Sequence, residues 1–350
     1  MPTYKQVNAR SPYIVSATGT AGQSVEIELF LWNYPDSEPA TYQKVLSKPI
    51  PSTNITTVHF DLSPYLREYI DTVNFVPNAS TSPIDADDGS YCYARAKVYV
   101  NGFVTDNEYL LALDGYGYFD EGYNPIDSPV LLTEGEYYVK QGGDTGSIYV
   151  YNDDNHTWEA KYVSLDGTTA SVNGLFNGVS AQVTRLPYIT ASHVGTGGSE
   201  VIIFKDTVEF ASFTFREICE PKYTPVTCDF KNKFGVWQRI VFFKVSKSTM
   251  QMSNNEYHLM PTSIDYDTTQ NVQQSFNSNG IESIKVNTGW VPESYSEVIK
   301  QLTFSESIRL DGKPVNINTK SIDLFKAINE RNINYTIDFN YANHMINYVQ

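Results

Sequence analysis

Hydrophobic and polar residues alternate along several short segments of this chain. From Val25 to Leu31, an apolar residue stands at every second position. A period of two residues predicts a β-strand with one strongly apolar face. Residues 55–62 repeat the pattern.

Two pairs of such segments are separated by turn dipeptides, and each pair therefore predicts a β-hairpin. Asn-Gly and Asp-Gly favour tight turns because both residues tolerate a left-handed backbone. The predicted hairpins are 91–100 with 108–113 around Asn101-Gly102, and 306–310 with 315–317 around Asp311-Gly312.

Two short helices are predicted from their start signals. Ser63-Pro64 supplies a serine as N-cap and a proline at the first helical position. Pro292 starts the second helix, in which apolar residues recur at helical spacing. The apolar sides consist of Tyr65, Leu66, Tyr69 and Ile70 in the first helix, and of Tyr295, Val298, Ile299 and Leu302 in the second.

The middle of the chain has the pattern of a small sandwich or barrel, with strands about ten residues apart and Gly, Asn or Asp turns. Residues 200–204 and 208–215 predict paired strands. Asn152-Asp153-Asp154-Asn155 predicts a hairpin loop between two strands, and Asn173-Gly174 predicts a further turn.

The last third of the chain predicts strands at 230–246, 254–260 and 335–341. Residues 268–279 are rich in Gln, Asn and Ser, and predict a loop or an extended arm. The segment 321–328 is interpreted as a strand that forms a last hairpin with 335–341, although a helical turn is the alternative for 322–328.

These patterns predict a mostly β protein of two to three β-sandwich or small-barrel domains with two short helices. The predicted domains are 1–118, an N-terminal β-sandwich; 119–219, a middle β domain; and 220–350, a C-terminal β-rich domain with one helix. A length of 350 residues is consistent with two or three domains.

Composition adds that the chain is acidic and rich in tyrosine. Its net charge of −15 argues against direct binding of nucleic acid through phosphates. The 26 tyrosines suit strand faces, with a protein or sugar contact surface as the sharper alternative. The start of the chain lacks the apolar segment of a signal peptide, and no stretch has the length of a membrane span, so we expect folding in a cytoplasm and no membrane insertion.

Reactive groups form no recognisable constellation in the sequence. The five histidines are scattered, and Asp85-Ala86-Asp87-Asp88-Gly89 fails the spacing of a calcium loop. The odd number of cysteines indicates free thiols, with a Cys219–Cys228 bridge as the alternative. We therefore predict a protein that is not an enzyme, with no catalytic residue, metal ligand or cofactor.

Exposed aromatic residues are the remaining candidates for a contact surface. Four of them cluster in a Gly-rich stretch where not all can be buried: Tyr116, Tyr118, Phe119 and Tyr123. They either stack on a sugar or a neighbouring subunit, or pack the seam between two domains.

The stretch from Cys228 to Phe243 is the most distinctive segment of the chain. It contains Phe234-Gly235-Val236-Trp237, a spacing that suits the start of a strand where one backbone approaches another closely. We expect Trp237 to be buried and Gly235 to tolerate no side chain.

That stretch, Cys-Asp-Phe-Lys-Asn-Lys-Phe-Gly-Val-Trp-Gln-Arg-Ile-Val-Phe-Phe, resembles a segment of virion structural proteins from tailed phages that infect Bacteroidetes. Two other parts of the chain are similar to the same group. They are Ser11-Pro12-Tyr13-Ile14-Val15 with residues 60–66, and Thr288-Gly289-Trp290-Val291 with residues 333–342.

The resemblance implies a non-enzymatic component of a tail, neck or baseplate, assembled in the host cytoplasm and located in the virion. Its expected partners are other virion proteins, in a homo-oligomeric ring or a hetero-complex. The alternative function is a carbohydrate-binding or adhesive β-sandwich module that binds a host surface glycan. A glycan-cleaving enzyme has no supporting constellation.

Overall fold

The structure, a computed structural model, describes most of the chain. The described residues are 3–33, 36–70, 84–85, 91–122, 124, 130–135, 137–140, 145–167, 170–178, 181–189, 194–195, 197–218, 223–260, 269, 271–321 and 332–346.

The N-terminal region forms a five-stranded sheet, in the order β1-β8-β7-β3-β4, and a separate β2–β5 pair. Its described elements are β1 (Tyr4–Asn8), β2 (Ile14–Thr18), β3 (Ser24–Trp32), β4 (Lys44–Pro49), β5 (Thr57–Asp61), α1 (Ser63–Tyr69), β6 (Ile84–Asp85), β7 (Tyr91–Val100) and β8 (Phe103–Leu113). The predicted hairpin of β7 and β8 is confirmed, and Asn101 and Gly102 both have positive φ angles.

Strand β3 is buried on both faces at its C-terminal end, whereas the alternation in its sequence predicted one apolar face. Val25, Ile27 and Leu29 are fully buried in a core that also contains side chains of β2, β5 and α1. Phe30 and Trp32 point the other way and pack with aromatic residues of the middle region. The strand therefore connects two hydrophobic cores.

Helix α1 forms where the sequence predicts it, but Ser63 is not its N-cap. Leu62 occupies that position, and Ser63 is the first helical residue. The buried Ser63 hydroxyl accepts a hydrogen bond from the N–H of Tyr13 and donates one to the carbonyl of Ser11, each at 2.6 Å. Ser63 thus fastens the helix to the segment before β2 because its hydroxyl both accepts and donates.

The middle region is a sandwich of a three-stranded sheet, β10-β13-β6, and a five-stranded sheet, β12-β11-β14-β15-β9. Trp158, Tyr162 and Phe215 of the larger sheet are buried against Ile148 and Tyr188 of the smaller one. Its strands are β9 (Tyr137–Lys140), β10 (Thr145–Asn152), β11 (Thr157–Ser164), β12 (Ala170–Asn177), β13 (Gln182–Ile189), β14 (Gly198–Lys205) and β15 (Val208–Ile218).

Two turn predictions in this region are wrong, although the predicted pairing of β14 with β15 is confirmed. The loop Asn152–Asn155 joins no hairpin, because β10 pairs with β13 whereas β11 pairs with β12 and β14. Asn173-Gly174 lies inside β12, where the register with β11 shifts, so the glycine accommodates a β-bulge instead of a turn.

The C-terminal region is a seven-stranded sheet, in the order β17-β16-β21-β22-β24-β19-β18, with a helix packed on it. Val298, Ile299 and Leu302 of that helix are buried, as its spacing predicted. The elements are β16 (Val226–Lys231), β17 (Trp237–Phe242), β18 (Lys247–His258), β19 (Gln273–Asn287), β20 (Val291–Pro292), α2 (Ser296–Thr303), β21 (Ile308–Leu310), β22 (Lys313–Ile317), β23 (Asn332–Ile333) and β24 (Thr336–Tyr341).

Several predictions for this region need correction. Residues 230–246 are not one strand, because the backbone turns between β16 and β17. Of the two interpretations of the polar stretch 268–279, the extended arm and not the loop applies from Gln273 onwards, since those residues pair with β18 along a long hairpin. The strand at 335–341 is confirmed as β24, whereas 322–328 lies outside the described residues.

The chain is therefore mostly β, built from several sheets with two short α-helices among the described residues, as the sequence predicted. The domain boundaries stay predictions. β6 comes from the N-terminal region of the chain and pairs with β13 of the middle region.

We predict that Ser63→Asp destabilises the protein more than Ser63→Ala. Alanine removes two buried hydrogen bonds and should cost about 1–3 kcal/mol. Aspartate cannot donate to Ser11, and it places a second carboxylate beside Asp61, whose Oδ1 accepts the Ser63 N–H at 3.0 Å. Urea unfolding of both variants measures the order. An N-cap would give the reverse order, because aspartate caps helices far better than alanine.

Candidate functional site

The hairpin of β16 and β17, with its loop Asn232–Val236, contacts all three regions of the chain; we call it the junction hairpin. Asn232 is fully buried and shapes the loop: its Oδ1 accepts the N–H groups of Phe234 at 3.0 Å and Val236 at 3.3 Å. Its Nδ2 donates to the carbonyl of Leu132 at 2.9 Å. One side chain therefore sets the loop conformation and binds the loop to the middle region.

Gly235 sits where the junction hairpin meets the end of β8. Its φ angle is +81°, and a Cβ atom there would lie 2.5 Å from the backbone of Asp114 and of Gly115. Gly115 is equally close to the hairpin, and a Cβ on it would lie 2.8 Å from the carbonyl oxygen of Lys233. The N–H of Tyr116 donates to that same oxygen at 2.8 Å. The expectation for Gly235 is thus explained by two backbones in direct contact.

Two ion pairs are formed by residues in the strands of the junction hairpin, one buried and one partly buried. Lys231 Nζ lies 3.4 Å from Asp114 Oδ2, with both side chains almost inaccessible to solvent. Arg239 makes a two-pronged pair with Asp229, at 2.6 and 2.8 Å, and donates from Nη1 to the carbonyl of Thr145. Since removing one partner leaves an uncompensated buried charge, the Lys231–Asp114 pair fixes the hairpin against the end of β8. The Arg239–Asp229 pair joins the two strands of the hairpin, and Arg239 connects them to the middle region through Thr145.

The apolar side of the junction hairpin completes a core shared by the three regions. Trp237 is 5% exposed, which confirms the expectation that it is buried. Val236 and Trp237 pack with Trp32, Tyr93 and Tyr149, and Phe234 is half-buried at the margin. The distinctive motif is therefore an internal packing element.

Of the four aromatic residues in the predicted contact surface, two lie in a seam within the chain and one is exposed. The ring centres of Tyr116 and Tyr118 lie 5.7 Å apart, and both rings contact the ring of Phe304, the residue that follows α2. Phe119 is fully exposed, and Tyr123 lies outside the described residues.

Cationic side chains cover the faces of the two tyrosines. The Arg10 guanidinium lies 4.8 Å from the Tyr116 ring centre, and the amino groups of Lys300 and Lys233 lie 3.4 and 4.8 Å from that of Tyr118. Such cation–π contacts stabilise an aromatic ring at a partly exposed site. The pair therefore links the N-terminal region to α2.

The environment of these tyrosines raises their pKa values. Burial, followed by a 2.7 Å hydrogen bond from the Tyr118 hydroxyl to Glu297, raises the pKa of Tyr118 well above its ordinary value. Burial likewise raises the pKa of Tyr116 to about 12. Both hydroxyls are therefore neutral throughout the physiological range.

A second feature, only partly predicted from the sequence, is the long hairpin of β18 with residues 273–285 of β19, which we call the arm. All 12 residues of β18 are exposed, and among the described strands β18 lies at the edge of its sheet. The sequence predicted a strand at 254–260 and a loop or extended arm at 268–279, but not their pairing, because these strands show little apolar alternation. A usable signal was present nonetheless, since four of the five methionines of the chain fall at 250, 252, 260 and 345.

Reactive chemistry is sparse in the described part of the chain. No group of three or more His, Cys, Asp or Glu side chains there is placed to hold a metal ion. Cys92 and Cys228 are buried free thiols, burial raises the pKa of Cys92 to about 12, and Cys219 lies outside the described residues. Neither described helix has the length and apolar character needed to cross a membrane.

Comparison with known proteins gives only remote similarities. No family model and no curated protein matches the chain. The chaperone–tip adhesion subunit complex CsuC-CsuE of Acinetobacter baumannii is 13% identical, with a TM-score of 0.21, over 62% of this chain and 97% of that one. The calcium binding domain CBD12 of CALX1.1 is 11% identical, with a TM-score of 0.18, over 58% and 76% of the two chains. Similarity at this level supports no conclusion about function.

We predict that Gly235→Ala destabilises the protein by about 3 kcal/mol or more, because strain at positive φ adds to a clash between backbones. Gly312→Ala is the matched control, since its φ is +79° and its Cβ would meet no described atom within 4 Å. It should cost only about 1–2 kcal/mol, the price of the backbone conformation alone. Equal losses in urea unfolding would contradict the proposed contact.

We predict that Tyr118→Phe reduces the alkaline sensitivity of the protein. A folded-state pKa raised above the unfolded value gives stability that is complete below about pH 10 and declines as pH rises further. The wild-type protein should therefore lose up to about 1.4 kcal/mol per pH unit relative to the variant above pH 10. Urea unfolding at pH 8 to 11.5 measures this difference, and a constant difference over that range would contradict the prediction.

Proposed function

We propose that the protein is a non-enzymatic structural component of a phage virion, in a tail, neck or baseplate complex. One observation carries the proposal: the segment that resembles phage virion proteins, Cys228 to Phe243, is almost entirely the junction hairpin. Its buried side chains are used to hold the three regions against one another. A segment used in this way suits a protein whose function depends on its shape.

The arm provides further support, because assembly requires surfaces that other subunits can cover. A long unpaired edge strand offers a row of backbone N–H and C=O groups to a neighbouring chain. Proteins that act as monomers usually protect such edges. The expected partners are therefore further virion proteins, including copies of this chain.

The adhesive alternative depends on exposed aromatic rings that could stack on a sugar. Tyr116 and Tyr118 are poorly suited to that role, because cations and Phe304 already cover them. Phe119 is the member of the predicted cluster that is fully exposed. An adhesive module thus has weaker support than a structural one.

Purified particles of a phage that encodes the chain provide the test. Quantitative mass spectrometry should find several copies per particle, and gold-labelled antibodies should place them at one position on the tail, neck or baseplate. Titration of host surface glycans up to millimolar concentration should give no binding to the purified chain. Absence of the chain from particles would overturn the proposal, and glycan binding by a particle-free monomer would favour the adhesive module.

A further inference from the structure

The methionines of this chain have an unusual distribution. Met250, Met252, Met260 and Met345 are 53%, 73%, 88% and 51% exposed, and Met1 lies outside the described residues. Methionine normally fills gaps in cores, and its flexible thioether also suits surfaces that bind other proteins. Every described methionine thus lies on the surface, on or beside the arm.

Three of these residues share one patch. Met345 donates its N–H to the carbonyl of Gly280 at 2.9 Å, and the space above Gly280 lies between Met345 Sδ and Met250 Cγ. Met252 pairs directly with Gly280 in the strand register. The absence of a side chain at Gly280 therefore leaves a shallow apolar depression bordered by flexible side chains.

The edge of the arm lacks the usual protection against pairing. The edge strand β4 of the N-terminal sheet has two lysines and a proline within six residues, namely Lys44, Lys48 and Pro49. Charged residues and proline at these positions discourage strand addition. Strand β18 has one lysine, Lys247 at its first position, and no proline in 12 residues. The edge strands β4 and β18 thus differ in their protection against pairing.

Charge indicates what covers the arm. The charged side chains of the arm cancel, because Lys247 and Lys285 offset Glu256 and Glu282. The whole chain carries a net charge of −15, so two copies repel each other unless they meet through a neutral surface. An edge that has no net charge, exposes two methionines and lacks proline, on an acidic chain, is suited to a second copy of the same chain.

We propose that β18 pairs antiparallel with β18 of a second copy, so that the two seven-stranded sheets join into one. The proposal rests on the proposed virion function and names the contact through which copies meet. Paired residues in such a twofold arrangement share a face, and a register centred on Gln251 sets Met250 of each copy opposite Met252 of the other. The two Lys247 side chains then lie eight residues apart along the edge, about 27 Å, beyond the range of strong repulsion.

Sedimentation of the purified chain tests the pairing. We expect a dimer of twice the chain mass of 39.5 kDa. Met252→Lys should raise the dissociation constant at least about a hundredfold, because it brings positive charges together across the twofold axis. Phe103→Lys is the matched control, at a residue 74% exposed on β8, and should leave the mass unchanged. A monomer at 100 μM concentration, or a Met252→Lys variant that remains dimeric, would overturn the proposal.

Disulfide trapping tests the register independently of affinity. Gln251→Cys should form a disulfide-linked dimer on mild oxidation, because the two introduced thiols face each other across the axis. Val45→Cys, on the protected edge strand β4, should not. If the chain assembles into a closed ring of subunits and the Gln251→Cys variant forms no crosslink, self-pairing of β18 is overturned. The subunits of such a ring would meet through two different surfaces.

The two proposals fail separately. If the chain is present in phage particles but β18 does not pair, the virion function stands and the arm contact fails. If the dimer and its crosslink form but the chain is absent from particles, the arm contact stands and the virion function fails.

Discussion

The contact between the backbones at Gly235 and at Asp114–Gly115 is the constraint on which the other junction contacts depend. The two backbone segments approach this closely because glycines, Gly235 and Gly115, stand at the contact, and the left-handed backbone at Gly235 turns the loop toward β8. Once the loop is in this position, Asn232 reaches Leu132, Lys231 reaches Asp114, and Trp237 enters the shared core. A Cβ atom at Gly235 would separate the surfaces and expose these polar groups to incomplete pairing.

The polar groups around this contact define its geometry more than they stabilise it. A buried ion pair gains little over apolar residues of the same shape, because desolvation offsets most of the attraction. Removing one member of a pair is nevertheless costly, so Lys231 and Asp114 penalise any other arrangement of the two segments. Stability comes mainly from the aromatic core around Trp237, Trp32 and Tyr149, which removes large apolar surfaces from water. The ion pair and the aromatic core together specify one position for the junction hairpin.

Local patterns predicted many of the strands and both helices, but not every turn, and they predicted the pairing of distant segments poorly. The alternation in β3, the Asn101-Gly102 turn and the apolar side of α2 depend on near neighbours in sequence, and each is found where expected. The role of Ser63 depends on Ser11 and Tyr13, about fifty residues away, and the sequence around Ser63 does not reveal such distant partners. The same reason explains why β10 and β11, adjacent in sequence, lie in different sheets.

The sequence left two interpretations of the aromatic cluster open, a contact surface or a seam between domains, and Tyr116 and Tyr118 lie in a seam against Phe304. A ring in a seam is stabilised by contacts within the chain, as the rings of Tyr116 and Tyr118 are by arginine and lysine side chains. A polar hydroxyl on such a ring can also find a partner, as the hydroxyl of Tyr118 does in Glu297. Methionine has no hydroxyl or aromatic ring to form such contacts. An exposed methionine is therefore stabilised most when another protein covers it and removes its apolar surface from water. Four exposed methionines on or beside one neutral arm are therefore a stronger sign of a binding surface than the tyrosines, although tyrosine dominates the composition.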